Sequence, residues 1–584
     1  MQSVSTAYKN SMKSPLRNRG YIQVSFGIFN EAAQADAQIV NNSNTYIYYS
    51  DASEVFHNQP SDFVYATLEN HFFRVDGSQH FLPPVSEPQL YRNTGLISQN
   101  LVNNGNVYFE IRLSEARTWY GLTIDFGYNF PTSFDIIYGS NTLQVRNNTK
   151  SVYVADVAFE SVDTIQIVFR SMRESSTRAR VYSIQFGIGY VYGNDSVMDS
   201  SLNRQISPIC EYIPQFDFSV KLKNYDHYFD VDNPNSAINF LTQNQKISVQ
   251  YGYELDSGRI EWIPGQTLYC TEWESDNTSA TIRCCDILRN LDNEYHGGTY
   301  DPDGQTFADL AETIFEAAGI TDYYLDPVLS DLTTKIPIPR ISYKEALQLI
   351  ANACCCILTF GRDGKPEIRK LDYSSIPNTF RMSKQDMKSY PVASKNEAVK
   401  DIVVEYQSWF QNASEINLMS EELTVEANEE RTYYFVEPCY DFKIKVDGVD
   451  LTSTILQDSG DYYVSLKFPS GSTVALDIYG KKYSIVSRKY NYPVSDYGKT
   501  IIWSNPLLDG ISMAYPLAQW LGVYYGSQIE YEYDSRGNPE LDVGDKIFQD
   551  NEYMNNMWVL ITEYILNFKQ AFSAHAVTRK IGGS

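Results

Sequence analysis

Apolar residues recur at every second position in short runs along most of this chain. Leu122, Ile124 and Phe126 alternate with Thr123 and Asp125. Phe134, Ile136 and Tyr138 repeat the pattern, as do Ile165, Ile167 and Phe169, then Tyr182, Ile184 and Phe186. A side-chain period of two puts each run on one face of a β-strand, and such a face must be covered by a second layer. Short runs separated by polar turns predict an antiparallel sandwich over residues 85 to 190. The pattern resumes at Phe216, Phe218, Val220 and Leu222, and at Ile247, Val249, Tyr251 and Tyr253, with Asp256-Ser257-Gly258 as a reversal. Residues 21 to 49 read as two or three strands. The stretch NHFFRVDGSQHFLPPVSEP from Asn70 breaks the register and marks an expected domain boundary.

Two segments change period from two to three and four. Thr306 with Asp309 resembles a capping box, and Phe307, Leu310, Ala311, Ile314 and Ala318 follow at helical spacing, with Gly319 placed to cap the end. Ser342 with Glu345 opens a second helix lined by Ala346, Leu347, Ile350 and Ala353. Cys354 to Phe360 then reads as a strand, Arg362-Asp363-Gly364-Lys365 as a hairpin turn and Ile368 to Leu371 as the return. Residues 395 to 500 are mostly β, with turns at Asp447-Gly448 and Gly480-Lys481. A short helix near Ile511 to Tyr525 is interrupted or opened by Pro516. Gln528 to Tyr533, Asp545 to Phe548, Trp558 to Phe568 and Phe572 to Arg579 close the chain as strands of one sheet.

At 584 residues the chain has room for three to five domains. Its formal charge of −25 excludes non-specific nucleic-acid binding and anionic-membrane binding for the chain as a whole, since both need a cationic surplus. Tyrosine, at 46 copies, suits half-buried strands and interfaces with sugars or other proteins. The first 20 residues carry four cations but no apolar segment, so no secretory signal is expected, and no stretch approaches 18 apolar residues. Synthesis in a cytoplasm is expected.

The chemistry-bearing residues do not assemble into a known catalytic pattern. His57, His71, His80, His227, His296 and His575 form no metal-binding motif, and no nucleophile elbow or phosphate-binding loop is present. Asp301-Pro302-Asp303-Gly304 reads as a capped turn rather than a calcium loop. Glu421, Glu422, Glu429 and Glu430 read as a solvated loop. The eight cysteines, including Cys354, Cys355 and Cys356, lack zinc-site spacing and are expected as buried thiols. No cofactor, metal or catalytic residue is assigned. Arg170, Arg173, Arg178 and Arg180 with Glu174 occupy a loop of the sandwich, where they either meet a partner or are solvated.

Three segments together resemble the baseplate hub, or tail-associated, proteins of bacteriophages infecting Gram-positive hosts: Ile206 to Pro234, Ile341 to Leu371 and Glu540 to Ile581. The helix–strand–Asp-Gly–strand unit and the closing "GD…Y…V-ITE…L-F" pattern carry most of the likeness. Gly121 to Gln144, with VDTIQIVFRS and RVYSIQFG, resembles a galactose-binding-like (discoidin-type) jelly roll. In many such hubs this domain is inserted after the first strands, introduced by a segment like Ala66 to Pro84.

The resemblance implies a mainly β fold with minor α, built from tail-hub β-barrel or sandwich domains plus the inserted jelly roll. The expected division is 1–65 for the first part of the hub domain, 66–190 for the insert and 191–300 for the second part. An α+β unit at 301–394, a β-rich domain at 395–500 and completing strands at 501–584 follow. It also implies a structural role in the virion tail: a homotrimeric ring around the channel for DNA and the tape-measure protein. The implied partners are distal tail, tape-measure and receptor-binding proteins, with a host glycan for the insert. Relatives often continue into a peptidase, lysin or fibre, whereas this sequence stops at Ser584, so no enzyme is expected. The rivals are a cell-wall glycosidase and a carbohydrate-binding adhesin. For the insert, Trp119 and Tyr120, and at the other end of the same strand Tyr128 and Asn129, are the candidate carbohydrate-binding residues. A core role for Trp119 and a docking role for the insert stand beside that reading.

Overall fold

The computed structural model describes residues 1–40, 95–102, 107–225, 245–371, 380–551 and 557–581, with short stretches between 46 and 81 and single residues near 229 and 553. The expected boundary at Asn70 to Pro84 falls mostly outside the described residues, as does much of the polar stretch after Asn224. The architecture is mainly β with a small α component.

A 13-stranded sheet gathers both ends of the chain. The Gly20–Phe29 strand pairs with Lys246–Glu254 on one side and Gly187–Tyr192 on the other, while Val197–Gln205 pairs with Met557–Phe568 near the C-terminus. Alternation explains the layering. Ile22, Val24 and Phe26 turn into one core with Val249, Phe218, Ile282 and Leu566, and the polar residues between them face outward. Where two or three strands were expected over 21 to 49, Gly20–Phe29 is followed by a short helix, Glu31–Asp36, capped by Asn30 through the Ala33 N–H, and by Gln38–Ile39.

The chain leaves this sheet at Phe29 and rejoins it at Gly187, its register partner, and the Asn30 N–H closes onto the Phe186 carbonyl at 2.8 Å. The excursion has a separate core of Phe109, Leu122, Phe126, Phe134, Phe159, Phe169 and Phe186, among others. Its main sheet runs Ser183–Gln185, Val107–Asp125, Val152–Met172, Pro131–Tyr138, Asn141–Arg146, and a ribbon of Leu96–Leu101 with Arg178–Val181 lies apart from it. The sheet change falls at Phe29, well before the expected 66. Gln38–Ile39 pairs with the long Val107–Asp125 strand, and Ala33, Val55 and Phe56 belong to the sandwich core.

Helices Phe307–Ala317 and Tyr343–Ala353 pack with the Cys356–Phe360 and Pro366–Lys370 hairpin into the core of the large sheet. The Ser342–Glu345 capping box is complete, and Thr306 accepts from the Asp309 N–H. Helix Ile511–Gly526 runs through Pro516 without a break, because its apolar side, including Leu517 and Leu521, is held in the same core.

Strand Val399–Val425 pairs antiparallel with Ser472–Pro493 and parallel with Lys499–Asp509. At about 3.3 Å per residue its 27 residues span roughly 90 Å. One end enters the main core through Ile402 and Val404; the other builds a small core of Leu423, Ile444, Val464, Leu466 and Ile478. Two expectations change here. Gly480 lies inside a strand rather than at a turn: a Cβ would stand 2.8 Å from Leu418 Cδ1, so the glycine serves a close approach. Glu421, Glu422, Glu429 and Glu430 also lie on strands rather than in a loop. They are partly or fully exposed, with Glu421 accepting from the Tyr433 hydroxyl and Glu430 paired with Lys467.

Candidate binding surfaces and the buried ionic centre

Strand Val107–Asp125 carries two of the four candidate sugar residues side by side, on opposite faces. Trp119 faces inward. It is 5% exposed, stacks on Phe159 at 5.0 Å with a 4° interplanar angle and meets Phe186 edge-on. The ring is thus buried in the sandwich core. Tyr120 is 53% exposed and donates to Asp156 at 2.8 Å, and this bond raises its phenol pKa.

Past the strand end, Tyr128 is half-exposed and carries the Arg173 guanidinium 4.8 Å from its ring centroid. Asn129 is buried. It donates to Thr177 Oγ1 at 2.7 Å and accepts from the Glu174 N–H at 2.9 Å, so it pins the 173–177 loop rather than facing a ligand. The structure therefore brings Tyr128 to Arg173 and places Tyr120 inside the strand, paired with Ala158, rather than at its opposite end.

The arginines do not form one basic patch. Arg170 and Arg146 share Asp135, whose carboxyl is held below the ordinary range by the two guanidinium groups. Arg178 and Arg180 both pair with Glu69, and Arg180 is buried under Phe72 at 3.5 Å. Among the described residues, no three His, Cys, Asp or Glu side chains come together as metal ligands, and no helix is long and apolar enough to cross a membrane. Cys354 and Cys356 are buried and Cys355 is partly buried; burial raises all three thiol pKa values.

Sequence reading missed two sites. One is an ionic centre in the large sheet. Asp542 accepts from Arg204 and Arg362, each at 2.8 Å, and both guanidinium groups also reach the Leu541 carbonyl. Arg204 is fully buried, and the two cations hold Asp542 at about 2 despite burial. The other is a cavity of about 390 Å³ where the sandwich meets the large sheet, lined by Tyr21, Gln23 and Trp262 on one side and Asp125 and Ser183 on the other. Long-range pairing brings these residues together, so spacing along the chain gave no signal of either site.

No family model matches the chain, and no curated protein does. Several solved structures share a partial likeness. The 43 kDa tail protein of prophage MuSo2 from Shewanella oneidensis is 11% identical with a TM-score of 0.37, covering 76% of this chain and 98% of that one. The tail protein from Neisseria meningitidis MC58 is 10% identical with a TM-score of 0.38, covering 66% and 92%. Prophage tail protein gp18 from Listeria monocytogenes EGD-e is 10% identical with a TM-score of 0.35, covering 68% and 92%. All three are tail proteins, the first and third of prophages.

Proposed function

We propose that this chain is a structural hub protein of a bacteriophage tail, with the sandwich as an accessory module. The observation that carries the reading is convergence. The three segments behind the sequence resemblance lie far apart in the chain, yet their described parts meet around one core. Asn352 donates to the Ile209 carbonyl at 3.0 Å and Gln348 to the Glu211 carbonyl at 2.8 Å. Arg362 binds Asp542, and the Ile206 N–H reaches the Thr562 carbonyl at 3.0 Å. The motifs thus describe one folded unit rather than three coincidental stretches.

On this reading the chain forms a homotrimeric ring at the tail tip through contacts repeated about a threefold axis. Its acidic balance suits a lumen through which DNA passes without being gripped. Distal tail and tape-measure proteins are the neighbours. The exposed Tyr120 and Tyr128 offer the insert two separate surfaces, for a neighbouring tail protein or a host glycan. The protein acts without catalysis. Electron microscopy of tail tips labelled on this chain tests the ring: three copies around the axis are expected, and a single copy would refute it. Peptidoglycan turnover abolished by a single carboxylate substitution would replace the hub reading with the glycosidase.

A further inference from the structure

The outward face of the Gly20–Phe29 strand presents Tyr21 and Gln23 towards the inserted sandwich. Register places Tyr21 opposite Gly252, and Gly252 opposite Trp262. A Cβ at Gly252 would lie 3.0 Å from Tyr21 Cβ and 3.1 Å from Trp262 Cε3, so glycine lets the two aromatics close over it. Their ring centroids are 6.4 Å apart at 56°. Arg19 covers the Tyr21 ring at 5.2 Å, so on the large-sheet side the aromatic wall of the cavity is the partly buried Trp262. The facing wall comes from the sandwich, where Asp125 and Ser183 are register partners.

Two acceptors in the lining bear on the ligand. Gln23 is 7% exposed, lines the cavity, and its buried Oε1 receives no hydrogen bond. Buried amide oxygens are nearly always satisfied, so this one marks a position for a donor. Asp125 accepts the Gly127 N–H at 2.8 Å, and burial raises its carboxyl pKa by stripping water from the carboxylate, a cost that a hydroxyl donor would relieve. The lining carries one cation, Arg19, and two carboxyls, Asp125 and Asp195, a balance that disfavours an anionic ligand. An aromatic wall, a few convergent acceptors and a volume of about 390 Å³ fit a small ligand with one apolar face and a rim of hydroxyl donors.

We infer that the cleft between the large sheet and the inserted sandwich binds a neutral pyranose, its apolar face on Trp262 and its hydroxyls donating to Gln23 and Asp125. This goes beyond the hub reading and is independent of it. Tyr128 does not line the cleft, and a hub without the cleft activity remains a hub.

Saturation-transfer NMR on the full chain tests it, with the methyl pyranosides of glucose, galactose, N-acetylglucosamine and rhamnose as probes and their oligosaccharides as a second arm. At least one pyranoside should bind. Trp262→Ala and Gln23→Leu should each weaken it roughly tenfold, and Trp262→Phe should retain most of the affinity. Ser183→Trp, which fills the cleft from the sandwich side without removing a core group, should abolish binding, whereas Tyr128→Ala should leave it unchanged. Transfer to the monosaccharide glycosides indicates a free sugar unit, and transfer to the oligosaccharides alone a glycan terminus. No transfer from any probe, or binding that survives both Trp262→Ala and Ser183→Trp, would overturn the inference.

Discussion

Replacing Asp542 with asparagine keeps the shape of the ionic centre and removes what is, among the described residues, the one anion in contact with Arg204 and Arg362. Two guanidinium groups, one 0% and one 6% exposed at the side chain, are then left without a counter-charge. Breaking a buried pair in this way costs about 3–5 kcal/mol. The Asp542 carboxyl points the same way: its fall from the ordinary 3.8 to about 2 is worth roughly 2.5 kcal/mol. Because the folded value is depressed, that contribution is complete above the unfolded value and is lost as pH falls through about 2. Hydrogen exchange read by mass spectrometry over Val197–Gln205 and Met557–Phe568, the paired strands beside the centre, is the local assay. At pH 7 the Asp542→Asn chain should exchange there roughly a hundred-fold faster or more. The difference should shrink between pH 4 and pH 2, while protection in the sandwich strands stays unchanged at every pH. A variant within threefold of the parent at pH 7 would refute the claim that the buried Arg204–Asp542–Arg362 pairing stabilises these strands.

Asp286 behaves in the opposite sense: burial pushes its carboxyl up to about 7 while it accepts from the Phe216 N–H. Its ionisation therefore costs stability as pH rises from the unfolded value towards 7, and Asp286→Asn should raise the unfolding temperature at pH 8 but not at pH 4; calorimetry at the two values checks this. In the native protein at pH 8, a maleimide should label Cys355 before Cys354 or Cys356, and all three far more slowly than in urea; rapid labelling of Cys356 would contradict its burial. Replacing residues 30–186 with a two-residue Asn-Gly turn should leave the large sheet folded, since Phe29 and Gly187 are already register partners. Circular dichroism and gel filtration would report β-structure and a single species, whereas an aggregate would show that the large sheet needs the sandwich.

Local order was written plainly in the chain. The alternation at Leu122, Ile124 and Phe126 gave a strand with all three side chains at 0% exposure. Ser342 with Glu345 built its cap, and Asp447-Gly448, at φ of 50° and 78°, turns Val446 onto Val449. Each of these signals is decided within four residues, by side-chain direction or by one backbone hydrogen bond, so the sequence alone could specify them. Pairing partners are decided across tens or hundreds of residues, by which apolar face covers which, and here the tertiary structure ruled. It put the sheet change at Phe29 instead of near 66, turned Gly480 from a turn into a close approach, and buried Trp119 between Phe159 and Phe186. It also joined Tyr21, Gln23 and Trp262 to Asp125 and Ser183 in one cleft. No local period encodes such a meeting, because the free energy that selects it comes from burial between layers rather than from neighbours along the chain.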